Sequence, residues 1–176
     1  MAKILIAYFS RTGENYFGGQ IRNITKGNTA TVAEAAQRVT GGDLFEIRTV
    51  REYPVNYKAC CDVAADEGKA DARPELAGAL PDIARYDTIV LGYPCWWGTM
   101  PQALFTFLEA ADFSGKKILP FCTHEGSGVS GTDRKICALY KSAMVKRALA
   151  LSGSVAQNKR KDAQSAVDKW YAALGL

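Results

Sequence analysis

The fold is decided by the stretch Lys3-Ile-Leu-Ile-Ala-Tyr-Phe9 and by Ser10-Arg-Thr-Gly13, which follows it. The first part is a short, nearly continuous run of strand-forming apolar residues, as in a parallel strand buried on both faces. The second part places hydroxyl groups and a glycine between this strand and a helix N-terminus, where free backbone N–H groups and the helix dipole favour an anion. The sequence therefore predicts a buried first strand followed by a phosphate-binding loop, with an ordinary capped turn as the alternative.

Strand and helix patterns alternate from this point to the end of the chain. The predicted strands are residues 3–9, 44–47, 88–93, 117–123 and 144–151, and the predicted helices lie around 32–39, 57–68, 101–111 and 163–174. Parallel strands joined by helical crossovers give an α/β fold, a doubly wound five-stranded parallel sheet of order 2-1-3-4-5 with helices on both faces. Pro120 removes a ladder donor, so a bulge or a shortened pairing is expected in the fourth strand.

Length and composition favour one domain over residues 1–176, because 48% hydrophobic residues can fill a substantial core. The chain has no apolar run long enough to span a membrane and no signal segment, so we expect a cytoplasmic protein. Its five cysteines include no CxxC pair, and a single histidine gives no metal spacing. Reduced thiols and no metal site are expected. Cys60 and Cys61 are adjacent, but small apolar residues on a half-buried helix explain them better than redox chemistry.

The first loop contains an insertion, residues 14–27, which is too long for a tight phosphate turn. Gly18 and Gly19 lie between apolar residues and predict a hairpin. The hairpin would return the chain so that Asn28 and Thr29 cap the first helix beside Thr12. We interpret the insertion as a flap over the phosphate end of a ligand.

Two further loops follow strands three and four, at the edge of the sheet where ligands bind in such folds. The first contains adjacent Trp96 and Trp97, and paired exposed indoles favour a stacking surface for a flat ring system. Core packing is the alternative for each tryptophan taken separately. The second loop, 123–128, is rich in glycine and small hydroxyl residues, so its backbone amides can approach the polar edge of a ring. It includes His124, for which contact with a ring edge is a stronger hypothesis than a proton relay.

The segments YFSRTG with GNT, GYPCWWGTMP and PFCTHEGSG together resemble the flavodoxin-like family, especially bacterial members with a Trp-Trp loop. The resemblance spans nearly the whole chain and implies FMN as the cofactor. The phosphate would lie near Ser10, Thr12, Asn28 and Thr29, and the isoalloxazine between the two later loops. The candidate cofactor-binding residues are Ser10, Arg11, Thr12, Gly13, Asn15, Asn28, Thr29, Pro94, Cys95, Trp96, Trp97, Gly98, Thr123, His124, Glu125, Gly126 and Ser127.

This resemblance implies an electron-transfer protein whose flavin performs the redox chemistry while the protein contributes position and electrostatics. The alternative is an NAD(P)H-dependent FMN oxidoreductase that acts on quinones or similar acceptors. The expected partners are redox proteins, with no nucleic acid and no membrane, and the expected state is a monomer or weak dimer. A phosphorylated receiver domain is disfavoured, because Ser-Arg-Thr-Gly stands where paired acidic residues would be needed.

The net charge of +4 is unevenly distributed. Residues 134–161 hold eight Lys/Arg and no Asp/Glu, so the rest of the chain carries a net charge of −4. This basic segment fits a solvated surface, a docking patch for an acidic partner or a site for a phosphorylated cofactor. Because the segment does not alternate with aromatic residues, it does not resemble a nucleic-acid site.

Overall fold

A computed structural model describes residues 3–175 of the chain. The strands are β1 (Ile4–Tyr8), β2 (Gly13–Phe17), β3 (Gln20–Ile24), β4 (Asp43–Glu46), β5 (Thr88–Pro94), β6 (Lys117–His124), β7 (Met144–Val145) and β8 (Leu149–Ser152). The helices are α1 (Asn28–Thr40), α2 (Tyr57–Lys69), α3 (Gln102–Glu109), α4 (Thr132–Leu139), α5 (Gly153–Asn158) and α6 (Arg160–Ala173). No helix among the described residues combines the length and apolar character needed to cross a bilayer.

The main sheet is parallel throughout, in the order β4-β1-β5-β6-β7, with β8 also paired to β6. Since β7 and β8 together form the fifth strand, this is the predicted 2-1-3-4-5 order. Alternate residues of each strand enter separate cores on the two faces of the sheet. Leu5 packs on one face with Phe107 of α3, while Ile6 packs on the other with Val32 of α1 and Val167 of α6. The predicted doubly wound fold is therefore confirmed.

The fifth strand is interrupted opposite Pro120. Ile118 pairs with Val145 and Phe121 pairs with Leu149, so three residues, 146–148, face two residues of β6. One extra residue in a ladder is a β-bulge. The bulge confirms the prediction made from Pro120. Proline has no N–H to donate to the ladder, and within a sheet it is accommodated at a bulge.

Residues 13–24 form an antiparallel two-stranded hairpin that stands outside the main sheet. Its tip is Gly18-Gly19, and both residues have positive φ, 61° and 79°. Two left-handed residues are the requirement of a type I′ turn, which is why glycine occupies both positions. The hairpin is fixed at its base, because the N–H of Glu14 donates to the carbonyl oxygen of Val55 at 3.0 Å.

Candidate functional site

A cleft of about 470 Å³ opens at the carboxyl ends of β1, β5 and β6. It lies where the chain turns from β1 to β4 on one side and to β5 on the other, the usual ligand position in doubly wound sheets. The cleft is lined by Arg11, Asn15, Tyr16, Asn28, Thr29, Tyr57, Cys60, Cys61, Ala64, Pro94, Cys95, Trp96, Trp97, Thr123, His124, Glu125 and Ser127.

Most of the residues predicted from the sequence line this cleft, so the three loops do meet at one place. The predicted residues that do not line it are Ser10, Thr12, Gly13, Gly98 and Gly126. Ser10 and Gly13 have structural roles instead. The hydroxyl of Ser10 accepts a hydrogen bond from the N–H of Ala30 at 3.0 Å, and a Cβ on Gly13 would lie 2.8 Å from Val55 Cγ1.

The N-terminus of α1 lies at one end of the cleft. The prediction that Asn28 and Thr29 cap this helix is wrong: Gly27 is the N-cap, and both residues lie within the first helical turn. The reason is spatial, since a Cβ on Gly27 would lie 2.2 Å from Ser10 Oγ. As first-turn residues, Asn28 and Thr29 present backbone N–H groups that have no acceptor within the helix.

Two side chains complete this end of the cleft. Thr29 Oγ1 and Thr123 Oγ1 lie 2.8 Å apart and join the start of α1 to the end of β6. Asn28 Oδ1 is buried, and no hydrogen-bond partner for it is present among the described residues. A buried polar atom without a partner is costly, so its presence at a cleft wall indicates that a polar ligand group belongs there.

Arg11 lines the cleft but mainly holds the chain together. Its guanidinium donates to the carbonyl oxygens of Pro54 at 2.6 Å, Val55 at 2.7 Å and Glu14. These bonds join the base of the hairpin to the segment before α2. Its Nε is also buried and has no hydrogen-bond partner among the described residues.

The two adjacent tryptophans occupy different environments. Trp96 is half-buried and packs edge-on against Phe9 and Tyr53, with ring centroids 5.3 and 5.0 Å away. Trp97 is 69% exposed, and its indole N–H donates to the carbonyl oxygen of Cys61 at 3.0 Å. Trp96 therefore anchors the loop, while Trp97 offers an indole at the wall of the cleft.

The loop after β6 is held by its own side chains. His124 Nδ1 accepts from the N–H of Gly126 at 3.0 Å, which leaves the imidazole proton on Nε2. The carboxylate of Glu125 accepts from the N–H of Gly18 at the hairpin tip and from the N–H of Ser154 in α5, each at 3.1 Å. Glu125 thus ties the hairpin and α5 to the same side of the cleft.

The sequence reasoning missed the wall of the cleft that is formed by α2, and on the hairpin it named Asn15 but not Tyr16. Tyr57, Cys60, Cys61 and Ala64 follow the i, i+3, i+4, i+7 spacing of one helix face. That spacing is visible in the sequence, but only the strand-end loops and the hairpin flap were expected to contact the ligand. Burial raises the pKa of Cys60 to about 11 and that of Tyr57 to about 12, so both remain protonated at neutral pH.

The donor set fits FMN. Free N–H groups at a helix N-terminus suit a phosphate monoester, the exposed indole suits a flat heteroaromatic ring, and the glycine-rich backbone at 123–128 suits its polar edge. Asn28 Oδ1 gives an independent indication, since it is an acceptor left for ligand donors. Among the described residues no group of three or more His, Cys, Asp or Glu side chains could hold a metal ion.

Comparison with known proteins agrees with this geometry. A family model described as flavodoxin matches residues 3–169. A Bacteroides eggerthii DSM 20697 protein provisionally described as a flavoprotein is 27% identical, with a TM-score of 0.71 over 97% of this chain and 99% of that chain. A Lactobacillus acidophilus NCFM flavoprotein in complex with FMN is 20% identical, with a TM-score of 0.67 over 97% and 99% of the two chains. Oxidised flavodoxin 2 from Bacillus cereus is 19% identical, with a TM-score of 0.53 over 98% and 99%.

Proposed function

The chain belongs to the flavodoxin family and its cofactor is FMN, and from this premise we propose that it carries electrons between redox partner proteins. Bound FMN supplies the exchange of one or two electrons. The protein binds the cofactor, orients it and sets the electrostatics around it. The proposal therefore assigns no bond-making or bond-breaking step to a side chain.

The residues divide into three groups in this proposal. The N–H groups of Asn28 and Thr29 hold the phosphate at the positive end of α1. The indole of Trp97 stacks on the ring system, and the backbone of residues 123–127 binds the polar edge of the ring. The hydrogen bond from the N–H of Gly126 to His124 Nδ1 leaves Nε2–H free to donate a hydrogen bond to the isoalloxazine ring.

The observation that carries the proposal is the apolar rim around the mouth of the cleft. Tyr16, which lines the cleft, is 43% exposed, and Ile21 on the same hairpin is 53% exposed. Trp97, which lines the same cleft, is 69% exposed. Large apolar side chains gathered at one exposed place favour contact with another protein surface. An electron carrier needs such a surface where its cofactor reaches solvent.

The basic segment supports an acidic partner. Residues 134–161 span α4, the fifth strand and α5, and the fifth strand forms one edge of the sheet. Their charges therefore concentrate on one side of the molecule. Such a concentration steers a partner of opposite charge during diffusional encounter, and the attraction weakens with salt.

The alternative proposal is an NAD(P)H-dependent FMN oxidoreductase acting on quinones or similar acceptors. The two functions are separated by one experiment, in which purified FMN-loaded protein is mixed with NADPH and a quinone. We expect a flavin spectrum and no steady turnover unless a separate reductase is added. Steady NADPH oxidation by the protein alone would replace the carrier by the enzyme.

A further inference from the structure

A second cavity opens beside the cleft, and we call it the α2–α3 groove. It is lined by α2 between residues 64 and 69 and by residues 99–102, which lead into α3. Its volume, about 700 Å³, is within the range of small-molecule sites. Trp96 and Trp97 line both cavities, so their turn forms part of the wall of each. Of the described residues assigned to FMN, only these two line the groove, which is therefore a separate site.

Apolar and aromatic side chains form much of the lining of the groove. Met100 is buried, Phe105 is half-buried and Trp97 is exposed, and all three line it. The guanidinium carbon of Arg73 lies 5.3 Å from the centre of the Phe105 ring and covers one face of that ring. A flat ring system suits such a lining, because it can stack on the exposed indole while its edge contacts the other side chains.

Gln102 is a buried polar residue of this lining with an unused donor. It is 8% exposed, and its Oε1 accepts from Arg73 Nη1 at 3.3 Å. Ion pairs with Asp71 and Glu109, each at 2.8 Å, hold Arg73 in place. The amide Nε2 of Gln102 makes no hydrogen bond among the described residues. A buried amide N–H without a partner is costly, and the groove is the cavity that Gln102 lines, so an acceptor is expected there.

The first turn of α3 supplies further donors. The helix begins at Gln102, its N-cap is Pro101, and no side chain caps it. The N–H of Leu104 donates to the carbonyl oxygen of Pro101 at 2.9 Å. The N–H groups of Gln102 and Ala103 come before it and have no acceptor within the helix. Because the residues that lead into this turn line the groove, an anion bound there would lie at the positive end of the helix.

One positive charge at the groove is not neutralised by an ion pair. The ammonium of Lys135 on α4 donates to Thr99 Oγ1 at 2.8 Å, and it makes no ion pair within the described part of the chain. The other charged side chains of the lining have partners: Lys69 pairs with Asp66, Asp71 pairs with Arg73, and Glu67 accepts from the hydroxyl of Tyr53. The groove therefore favours one negative charge on a ligand, and its own acidic groups disfavour a second.

We propose that the α2–α3 groove binds a planar aromatic monocarboxylate. Its rings lie against Trp97 and Phe105. Its carboxylate accepts from the start of α3, from Gln102 Nε2 and from Lys135. A phosphate ester carries about two negative charges at neutral pH and fits less well beside the acidic groups of the groove. This inference does not depend on electron carriage, because it concerns a cavity other than the FMN cleft.

The test is a calorimetric titration of the FMN-loaded full chain with 2-naphthoate at neutral pH. We expect saturable binding with a Kd on the order of 0.1 mM, which suits a ligand of so few heavy atoms. 2-Naphthamide has the same rings without the charge, and cyclohexanecarboxylate has the charge without the rings. Each should bind about tenfold more weakly than 2-naphthoate, and inorganic phosphate should bind more weakly still.

The concentration of free FMN during the titration gives the location of the ligand. Trp96 and Trp97 line both cavities, but the remaining FMN contacts lie outside the groove. The amount of FMN that passes an ultrafiltration membrane should therefore stay constant while 2-naphthoate saturates the protein.

Gln102→Glu tests the buried amide. The substitution keeps the shape and the oxygen that accepts from Arg73, but it replaces the Nε2 donor by a charged acceptor. The Kd of 2-naphthoate should rise at least about tenfold. The affinity for FMN should not change, because Gln102 does not line the cleft. Urea unfolding checks that the variant is folded.

Lys135→Ala tests the charge at an exposed position, where truncation does not endanger folding. It should raise the Kd of 2-naphthoate about two- to fivefold, the effect of losing a solvent-exposed ion pair. Lys141→Ala is the matched control, since it removes an exposed cation of the same basic segment that does not line the groove. It should leave the Kd nearly unchanged.

Four results would overturn the proposal. The first is the absence of saturable binding up to millimolar 2-naphthoate, and the second is release of FMN as 2-naphthoate binds, which would place the ligand in the cleft. The third is an equal affinity for 2-naphthoate and for the amide or phosphate. The fourth is an equal effect of Lys135→Ala and Lys141→Ala, which would leave only a general attraction by the basic segment.

Discussion

Trp97 is held in a conformation that a bulky residue seldom adopts. Its φ is +50°, and it shares a tight turn with Gly98, in which Trp96 and Thr99 exchange backbone hydrogen bonds of 2.9 and 3.0 Å. Left-handed backbone costs a non-glycine residue about 1–2 kcal/mol. Such strain often marks functional positions. Here it presents an indole at the cleft wall, whereas Trp96 fills space between Phe9 and Tyr53.

Truncation should separate these two roles. Trp97→Ala should lower FMN affinity about tenfold, since it removes a stacking surface worth about 1 kcal/mol in addition to buried area. Its effect on the free energy of unfolding should stay within about 0.5 kcal/mol, because the side chain is exposed. Trp96→Ala should cost at least about 2 kcal/mol of stability. Flavin fluorescence titration and urea unfolding measure both quantities, and a reversed pattern would contradict the assignment.

A second single-residue prediction concerns Gly27, which has an ordinary φ of −67° and is restricted only by space. An added Cβ would lie 2.2 Å from Ser10 Oγ and 2.6 Å from the carbonyl oxygen of Arg11. Gly27→Ala should therefore displace the loop beside α1, destabilise the protein by about 1–3 kcal/mol and weaken FMN binding. Gly68→Ala is the control, because nothing lies within 4 Å of its added Cβ. It should be neutral or stabilising by up to about 1 kcal/mol, and equal losses in both variants would refute the steric argument.

At the scale of secondary-structure elements, the sequence predicts those strands and helices that are specified by a pattern of buried apolar residues. The runs of β1, β5 and β6 are continuous because these strands are covered on both faces, and α6 shows a clear apolar stripe. Residues 132–139 carried no helix prediction, since Ile136 is the only deeply buried apolar residue of α4. Its position depends instead on tertiary contacts, such as the 2.7 Å bond between Thr132 Oγ1 and the hydroxyl of Tyr93.

The residues of the site also fall into those that the sequence could predict and those that it could not. Loops at the strand ends could be placed because a doubly wound sheet brings those ends together. The wall formed by α2 could not, because its position depends on the irregular segment before it, which Arg11 ties to the hairpin through Pro54 and Val55. Likewise, residue 27 is glycine because a Cβ there would collide with Ser10, and no sequence pattern predicts that contact.

The hairpin is the element whose contribution is easiest to isolate. Replacing Asn15–Arg22 by Asn-Gly would keep the pair Glu14 and Asn23 and close a two-residue turn on it. We expect FMN affinity to fall at least tenfold, because the variant lacks Asn15 and Tyr16 at the cleft wall. Fluorescence titration measures the change, with urea unfolding as a check on folding.

A milder variant separates closure from contact area. Glu125→Ala leaves every hairpin residue in place but removes the carboxylate that accepts from the N–H groups of Gly18 and Ser154. It should weaken FMN binding by less than the excision does. Unchanged affinity in the excised protein would show that the hairpin is no flap over the ligand.

On the scale of the whole molecule, the site and the charge are arranged around one sheet. The cleft lies at the carboxyl ends of the central strands, and the basic segment 134–161 flanks it along the fifth-strand edge. A partner steered to that edge would meet the apolar rim of the cleft. In the proposed function, the basic edge would attract the partner and the apolar rim would receive it.

Ligand binding should also stabilise the whole fold, because the cleft joins residues from both halves of the chain. FMN at a hundred times its dissociation constant contributes about 2.7 kcal/mol, which raises the Tm by roughly 5–10 °C in a protein of this size. Riboflavin at the same concentration should raise it much less, since it lacks the phosphate that we propose the N–H groups of Asn28 and Thr29 bind at the positive end of α1. Thermal unfolding with each flavin measures the difference. Equal shifts would mean that the start of α1 holds no phosphate. The orientation of FMN proposed from Asn28 and Trp97 would then be wrong.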